Sequence, residues 1–144
     1  MTAKEYLTQI ETLNRRICRR NAELAELIEL KNSIGGVDYS AGRASSVKKF
    51  EAGFENLSIK IIDEGSRIEK DINNLINIKS KIINQIENMN NDIYKDILFY
   101  RYVDLRSLGW IADKQGYSYV HTCRLHGWAL QAFERQYMQD DNQC

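Results

Sequence analysis

Two long stretches of this chain repeat apolar side chains every three or four residues, and no proline interrupts them. The first stretch runs from about Ala3 to Lys31, and its apolar positions are Tyr6, Ile10, Leu13, Ile17, Leu24 and Leu27. Arg20 occupies one core-type position and interrupts the stripe. Because a proline would kink or end a helix, the pattern predicts an uninterrupted amphipathic helix with coiled-coil character.

The second stretch predicts a helix that starts near Ser46 or Val47, with Ser46 as a candidate N-cap, and ends near Met89. Its main stripe is Leu57, Ile61, Ile68, Leu75, Ile82 and Met89, and further isoleucines widen it on both sides. A stripe this wide indicates more than one packing partner. We expect the first helix, folded back antiparallel, and a second copy of the chain, because a helix of about 60 Å is too long for the rest of this chain to cover.

Composition divides the chain into two segments. Residues 32–46 are rich in Gly, Ser and Ala, carry no helical period and predict a linker that would also suit a mobile loop. A polar break follows the second stretch at Asn88, Asn90, Asn91 and Asp92 and favours a turn or a helix cap. We therefore predict an all-α protein, with a helical hairpin or coiled coil over 1–90 and a helix-turn-helix bundle over 91–144.

Three further helices are predicted in the second segment. The first covers about Asp92 to Tyr102, with inward-facing Ile93, Ile97, Leu98 and Tyr102, and residues 103–106 connect it to the next. Ser107 would cap a helix through about Lys114, whose inner face includes Leu108, Ile111 and Ala112.

A turn and a longer helix complete the predicted helix-turn-helix. Gly116 suits the left-handed turn position, Tyr117 would plug the corner, and Ser118 would cap a helix to about Tyr137. The buried stripe of this last helix would be Thr122, Leu125, Ala129, Leu130 and Phe133.

The exposed start of this last helix is the predicted DNA-binding surface. Tyr119, Val120, Cys123 and Arg124 would face the major groove. Ser118 and the helix N-terminus would meet a phosphate, and His121 would reach a phosphate or a base edge.

The string ILFYRYVDLRSLGWIADKQGYS, followed by YVHTCRLHGWALQAF, resembles region 4 of sigma-70-type transcription factors. The matching positions are Leu98, Arg101, Tyr102, Ile111, Ala112, Gly116, Ser118, Ala129 and Leu130. The chain is also similar to small phage-encoded transcriptional regulators that carry the string from Arg124 to Leu130. The resemblance implies promoter binding through Tyr119, Val120, Cys123 and Arg124.

Two observations limit what the resemblance implies: the charge of the matching segment, and the part of a sigma factor that it matches. The part from Asp92 to Cys144 holds six Lys/Arg against seven Asp/Glu, although phosphate neutralisation dominates nucleic-acid affinity. The pairs Arg15-Arg16 and Arg19-Arg20 are closely followed by glutamates, which favours a solvated helix face. The chain has no counterpart of sigma region 2. We therefore expect an accessory regulator that binds DNA, docks on RNA polymerase, or both.

Other sites and functions receive no support from the sequence. Cys18, Cys123 and Cys144 lack metal-type spacing, and His121 and His126 lie five residues apart, so neither a disulfide framework nor a metal site is expected. No catalytic constellation or phosphate loop occurs, so we expect neither an enzyme nor a cofactor. Trp110 and Trp128 are expected in packing, and His126 in a polar contact beside the buried stripe.

The leading hypothesis is a phage or prophage transcriptional regulator that binds double-stranded DNA as a homodimer through its N-terminal helices. The absence of a signal peptide or a membrane-spanning run predicts the cytoplasm of a bacterial host and no membrane partner. One alternative is a protein-interaction module, with a degenerate helix-turn-helix that binds RNA polymerase or a phage protein. A weaker one is a phage packaging subunit that binds DNA as a ring.

Overall fold

The computed structural model describes residues 1–35 and 44–139, and every regular element in these ranges is helical. The all-α prediction is therefore confirmed. The elements are α1 (Ala3–Gly35), α2 (Ala44–Glu87), α3 (Asp92–Leu98), a π-helical segment (Phe99–Val103), α4 (Leu108–Gln115) and α5 (Tyr119–Tyr137).

The predicted linker is too long at both ends. Helix α1 continues to Gly35 and α2 begins at Ala44, so Ser46 lies inside α2 rather than at its N-cap. The absence of an apolar repeat does not exclude a helix, because small residues such as Ser and Ala do not prevent helix formation. Residues 36–43, and the mobility predicted for the linker, lie outside the described residues.

The chain forms two compact units. The first combines Met1–Asn14 with the described residues from Asn74 onward, and the second is Arg15–Asn73. The core of the first unit draws on every helix of the unit except α4; its buried members are Ala3, Leu7, Ile10, Ile82, Ile86, Met89, Leu98, Tyr102, Val103, Ala129 and Phe133. Residues 1–14 therefore share a core with α5, across the segment boundary predicted at residue 90.

The first turns of α1 contact both α2 and α5 within this unit. The Tyr6 hydroxyl donates a hydrogen bond of 2.7 Å to Gln85 Oε1. The Tyr6 ring lies 5.9 Å from the Phe133 ring, centroid to centroid.

A buried carboxylate joins α1 to α2 in the second unit. Asp71 is buried, and its carboxylate oxygens lie 3.2 Å from Arg16 Nη2 and 3.3 Å from Arg20 Nε. Arg20, the residue that interrupts the apolar stripe, is thus an ion-pair partner between the helices. The Lys31 ammonium lies 5.0 Å from the centre of the Phe54 ring. Arg16 and Arg20 of α1 thus pair with Asp71 of α2, whereas Lys31, later in α1, pairs with Phe54, earlier in α2. The two segments of this unit therefore run antiparallel.

Helix α3 begins at the predicted polar break. The Asn91 side chain accepts hydrogen bonds from the backbone N–H groups of Ile93 and Tyr94. Ile97 is buried as predicted, as are Leu98 and Tyr102, whereas Ile93 is exposed. Tyr94 takes the inward position expected of Ile93 and packs against both apolar clusters of the unit.

The predicted helix to Tyr102 ends as a π-helical segment. The Asp104 N–H donates to the Phe99 carbonyl, five residues back, at 3.0 Å. Tyr102 and Val103 are both buried in this segment.

The predicted caps around α4 and α5 are confirmed. Ser107 Oγ accepts from the Trp110 N–H at 3.1 Å, and Ser118 Oγ accepts from the His121 N–H at 3.2 Å. Gly116 ends α4 with φ of 75°, the left-handed conformation that glycine adopts without strain. The two helices are therefore joined by a short turn whose geometry the local sequence specifies.

The inner faces of α4 and α5 are largely as predicted. The buried residues are Ile111, Ala112, Thr122, Leu125, Ala129 and Phe133, while Leu108 and Leu130 are half-buried. Tyr117 is exposed and does not plug the corner. Its ring instead meets the edge of His121, with centroids 5.2 Å apart, because the left-handed turn at Gly116 directs the next side chain away from the core.

Candidate nucleic-acid interface

The first two turns of α5 present all six predicted site residues to solvent. Ser118, Tyr119, Val120, His121 and Arg124 are exposed, and Cys123 is half-buried. Buried Thr122 and Leu125 lie on the opposite side of the helix and attach it to the core. The geometry therefore brings the six residues together on one free surface.

Ser118 fixes the backbone at the start of this surface. Its hydroxyl accepts from the His121 N–H, and its carbonyl accepts from both the N–H and the hydroxyl of Thr122, each at 3.0 Å. The N–H groups of a first helical turn point outward with the positive end of the helix dipole. An anion such as a phosphate is the kind of ligand that a helix N-terminus favours.

Tyr119 and Cys123 form a side-chain pair one turn apart. A side-chain hydrogen bond with Cys123, and then the charge of the thiol when it ionises, raise the pKa of Tyr119. Tyr119 therefore stays a neutral phenol at physiological pH. It offers both a hydrogen-bond donor and an exposed aromatic face.

The positive charge on this part of α5 comes from Arg124, which lies one turn after Val120 on the exposed side. A second exposed arginine, Arg135, lies three turns further along the helix. Glu134 is adjacent to it and offsets its charge. The electrostatic attraction for a polyanion is therefore concentrated at the N-terminal half of α5 and is modest.

Trp128 is a surface residue that the sequence analysis assigned to packing. Its side chain is 46% exposed, one turn after Arg124, whereas Leu125 and Ala129 take the inward positions. The helical phase of α5 predicts this exposure, because Trp128 lies eight residues after exposed Val120 and so on the same side. Trp110 does pack, with its ring edge-on to Tyr100 at 5.4 Å.

Metal-type side chains do not gather in the described part of the chain. No group of three or more His, Cys, Asp or Glu residues is arranged to hold an ion there. His126, half-buried, hydrogen-bonds to Tyr102 as the predicted polar contact, away from exposed His121. Cys18 and Cys123 are free thiols, and Cys144 lies outside the described residues.

None of the described helices is long and apolar enough to cross a bilayer. Comparisons of the chain with family models, with curated proteins and with solved structures found no match. The class that the structure itself defines is an all-helical protein whose last two helices are joined by a capped glycine turn.

Proposed function

We propose that this protein is a phage or prophage transcription regulator that binds promoter DNA through the first two turns of α5. The observation that carries the proposal is the exposure of Ser118, Tyr119, Val120, His121 and Arg124 on a helix whose opposite side is anchored in the core. A helix held in this way, after a short capped turn, has the form that enters a major groove in helix-turn-helix proteins.

The exposed side chains supply three kinds of contact. The Arg124 guanidinium can donate to O6 and N7 of a guanine, and Val120 can contact a thymine methyl group. The Tyr119 phenol can donate to a base edge or a phosphate. Ser118 and the N-terminus of α5 can bind a phosphate and so fix the position of the helix along the groove.

The modest charge of this surface favours a second contribution to affinity. We propose that a homodimer formed through the N-terminal helices places two copies of α5 on two half-sites. Docking on RNA polymerase would also increase the affinity for the promoter. Either arrangement raises the effective concentration of α5 at the promoter without adding a basic patch.

The direct test is binding of the full-length protein to duplexes selected from a random-sequence pool, measured by fluorescence anisotropy at several salt concentrations. We expect Arg124→Ala to weaken binding to the selected duplex by about tenfold or more and to relax base preference at one position. Arg135→Ala is the matched control, since it removes the same charge from an exposed position three turns away. It should change affinity by about twofold or less.

The proposal fails if selection enriches no sequence. It also fails if the two arginine variants weaken binding equally, because that result would indicate non-specific attraction. A flat plot of log affinity against log salt would contradict phosphate contact altogether, since each phosphate contact should contribute about −0.9 to the slope.

A protein-interaction module is the second candidate, and exposed Trp128 favours it. Tryptophan and arginine are the side chains most enriched at the energetic centres of protein interfaces. Trp128 lies one turn after Arg124, on the solvent side of α5. In this reading the same helix binds RNA polymerase or a phage protein rather than a groove.

A further inference from the structure

Helix α2 carries three exposed isoleucines in the second unit, Ile59, Ile62 and Ile72, and the first two are the most exposed. Ile59 is 57% exposed and Ile62 is 68% exposed. A β-branched residue lowers helix propensity relative to Lys, Glu or Ala. At a position that stays in water, isoleucine thus costs helix stability and leaves apolar area hydrated.

These isoleucines lie on the side of α2 that faces away from α1. Ile59 lies nine residues before buried Ile68, which is two and a half helical turns and places the two on opposite sides. In this unit Ile68 and Asp71 face the partner helix, where Asp71 meets Arg16. The contact with α1 that buries Ile68 therefore leaves Ile59 and Ile62 in solvent.

A stripe of exposed residues runs along this side of α2 in steps of three and four. Its members, which we call the Ile59 stripe, are Glu51, Glu55, Ile59, Ile62, Ser66 and Lys70. The stripe begins with two acids, has the two isoleucines at its centre and ends with a hydroxyl and a base. Asp63 and Glu69 flank it, one on each edge.

We infer that the Ile59 stripe is the contact between two copies of this chain, whose α2 helices lie antiparallel about a two-fold axis between Ile59 and Ile62. Such an axis places Ile59 of one copy against Ile62 of the other, and Glu51 against Lys70, each pair occurring twice. A self-complementary surface is what an isologous dimer requires. The inference rests on the homodimer proposed above and not on DNA binding.

The size of the stripe predicts a weak dimer. Residues 51–70 span about 30 Å of helix, so a strip about 10 Å wide covers roughly 300 Å² on each copy. This is less than the roughly 800 Å² per partner of a standard interface. For a contact of this size we expect a micromolar dissociation constant.

The first experiment is sedimentation equilibrium of the full chain, without DNA, from about 1 to 200 µM. We expect a monomer–dimer equilibrium and a dissociation constant raised about tenfold or more by Ile62→Glu, which buries two charges at the axis. Ile93→Glu is the matched control, because Ile93 is an exposed isoleucine in the first unit. It should leave the constant unchanged. Unaltered helical circular dichroism would show that both variants fold.

The second experiment exchanges the charges at the ends of the stripe. Glu51→Lys and Lys70→Glu should each raise the dissociation constant about tenfold, because each creates two like-charge contacts per dimer. The double variant should return to near the original value. A monomer at every concentration, or a double variant as weak as the single variants, would overturn the inference. Loss of DNA binding would leave the measured mass unchanged, so the two proposals fail separately.

Discussion

The Tyr102 hydroxyl lies 2.7 Å from Nε2 of His126, and the two rings stack with centroids 5.6 Å apart. The pair joins the π-helical segment to α5. Burial raises the pKa of Tyr102 to about 12, against an opposing effect of Arg101. Burial also lowers the pKa of His126 to about 4, and the positive charges of Arg101 and Lys4 act in the same direction. Both side chains are therefore neutral at pH 7.

We predict that the first unit loses stability as the pH falls from about 6.5 to 4. In this window the unfolded chain protonates His126 while the folded chain does not, so the unfolded state binds more protons and the free energy of unfolding decreases. Because His126 is only half-buried, solvent screening reduces the effect to about 1–2 kcal/mol. Urea unfolding should show this loss in the original chain and its absence in His126→Gln. Parallel pH profiles for the two proteins would contradict the prediction.

Gly116 and Gly127 should respond to alanine in opposite directions. Gly116 has φ of 75°, where a β-carbon costs about 1–2 kcal/mol, so Gly116→Ala should lower the melting temperature. Gly127 lies within α5, and apart from the nearby backbone of its own helix an added β-carbon there would meet no atom within 4 Å. Gly127→Ala should stabilise the protein by about 0.5–1 kcal/mol. An unchanged or higher melting temperature for Gly116→Ala would show that the turn does not require glycine.

Leu7 should be as important for the stability of the C-terminal helices as a residue within them. It is fully buried in the core cluster of the first unit that also contains Phe133 and Ala129. Leu7→Ala should cost about 2–5 kcal/mol, whereas Leu30→Ala, at an exposed leucine of the second unit, should cost little. Tryptophan fluorescence reports the first unit specifically, since Trp110 and Trp128 both belong to it. If the unfolding transitions measured by tryptophan fluorescence were the same for Leu7→Ala and Leu30→Ala, the shared core would be refuted.

Trp128→Ala separates the two candidate functions. If α5 docks on RNA polymerase, purified host polymerase should bind the variant about tenfold or more weakly than the original chain, as expected for a tryptophan anchor. Gln131→Ala, on the same exposed side, is the control. If α5 binds only DNA, the original chain and Trp128→Ala will both bind polymerase weakly. Affinity for the selected duplex will then be lowered by Arg124→Ala and not by Trp128→Ala.

Local signals in the sequence predicted local structure well. The polar break before α3, the serine caps at Ser107 and Ser118 and the turn at Gly116 were all correctly placed, because a cap or a left-handed turn depends on side chains within a few residues. The helical phase also placed the free surface around Tyr119 and Arg124. Whether that surface binds DNA stays a prediction, since exposure and charge do not specify a ligand.

Packing between segments that are distant in the sequence cannot be predicted from these local signals. Periodicity shows that Leu7 and Ile10 share a buried side, but not that this side meets α5. The choice between Ile93 and Tyr94 as the inward residue of α3 depends on where two clusters meet. No short sequence motif predicts the π-helical segment at Phe99–Val103. The packing predicted for Trp128 is wrong, because the large apolar side chain favours burial whereas the helical phase of α5 places it at the surface.

The shared core of α1 and α5 also bears on synthesis of the chain. Tyr6 contacts Phe133, and Leu7 belongs to the same cluster, so these contacts join residues more than a hundred positions apart. On the ribosome, the early residues emerge long before the helix that covers them. The first unit can therefore close only after α5 has been synthesised, and until then its apolar side chains are available to chaperones or to another nascent copy.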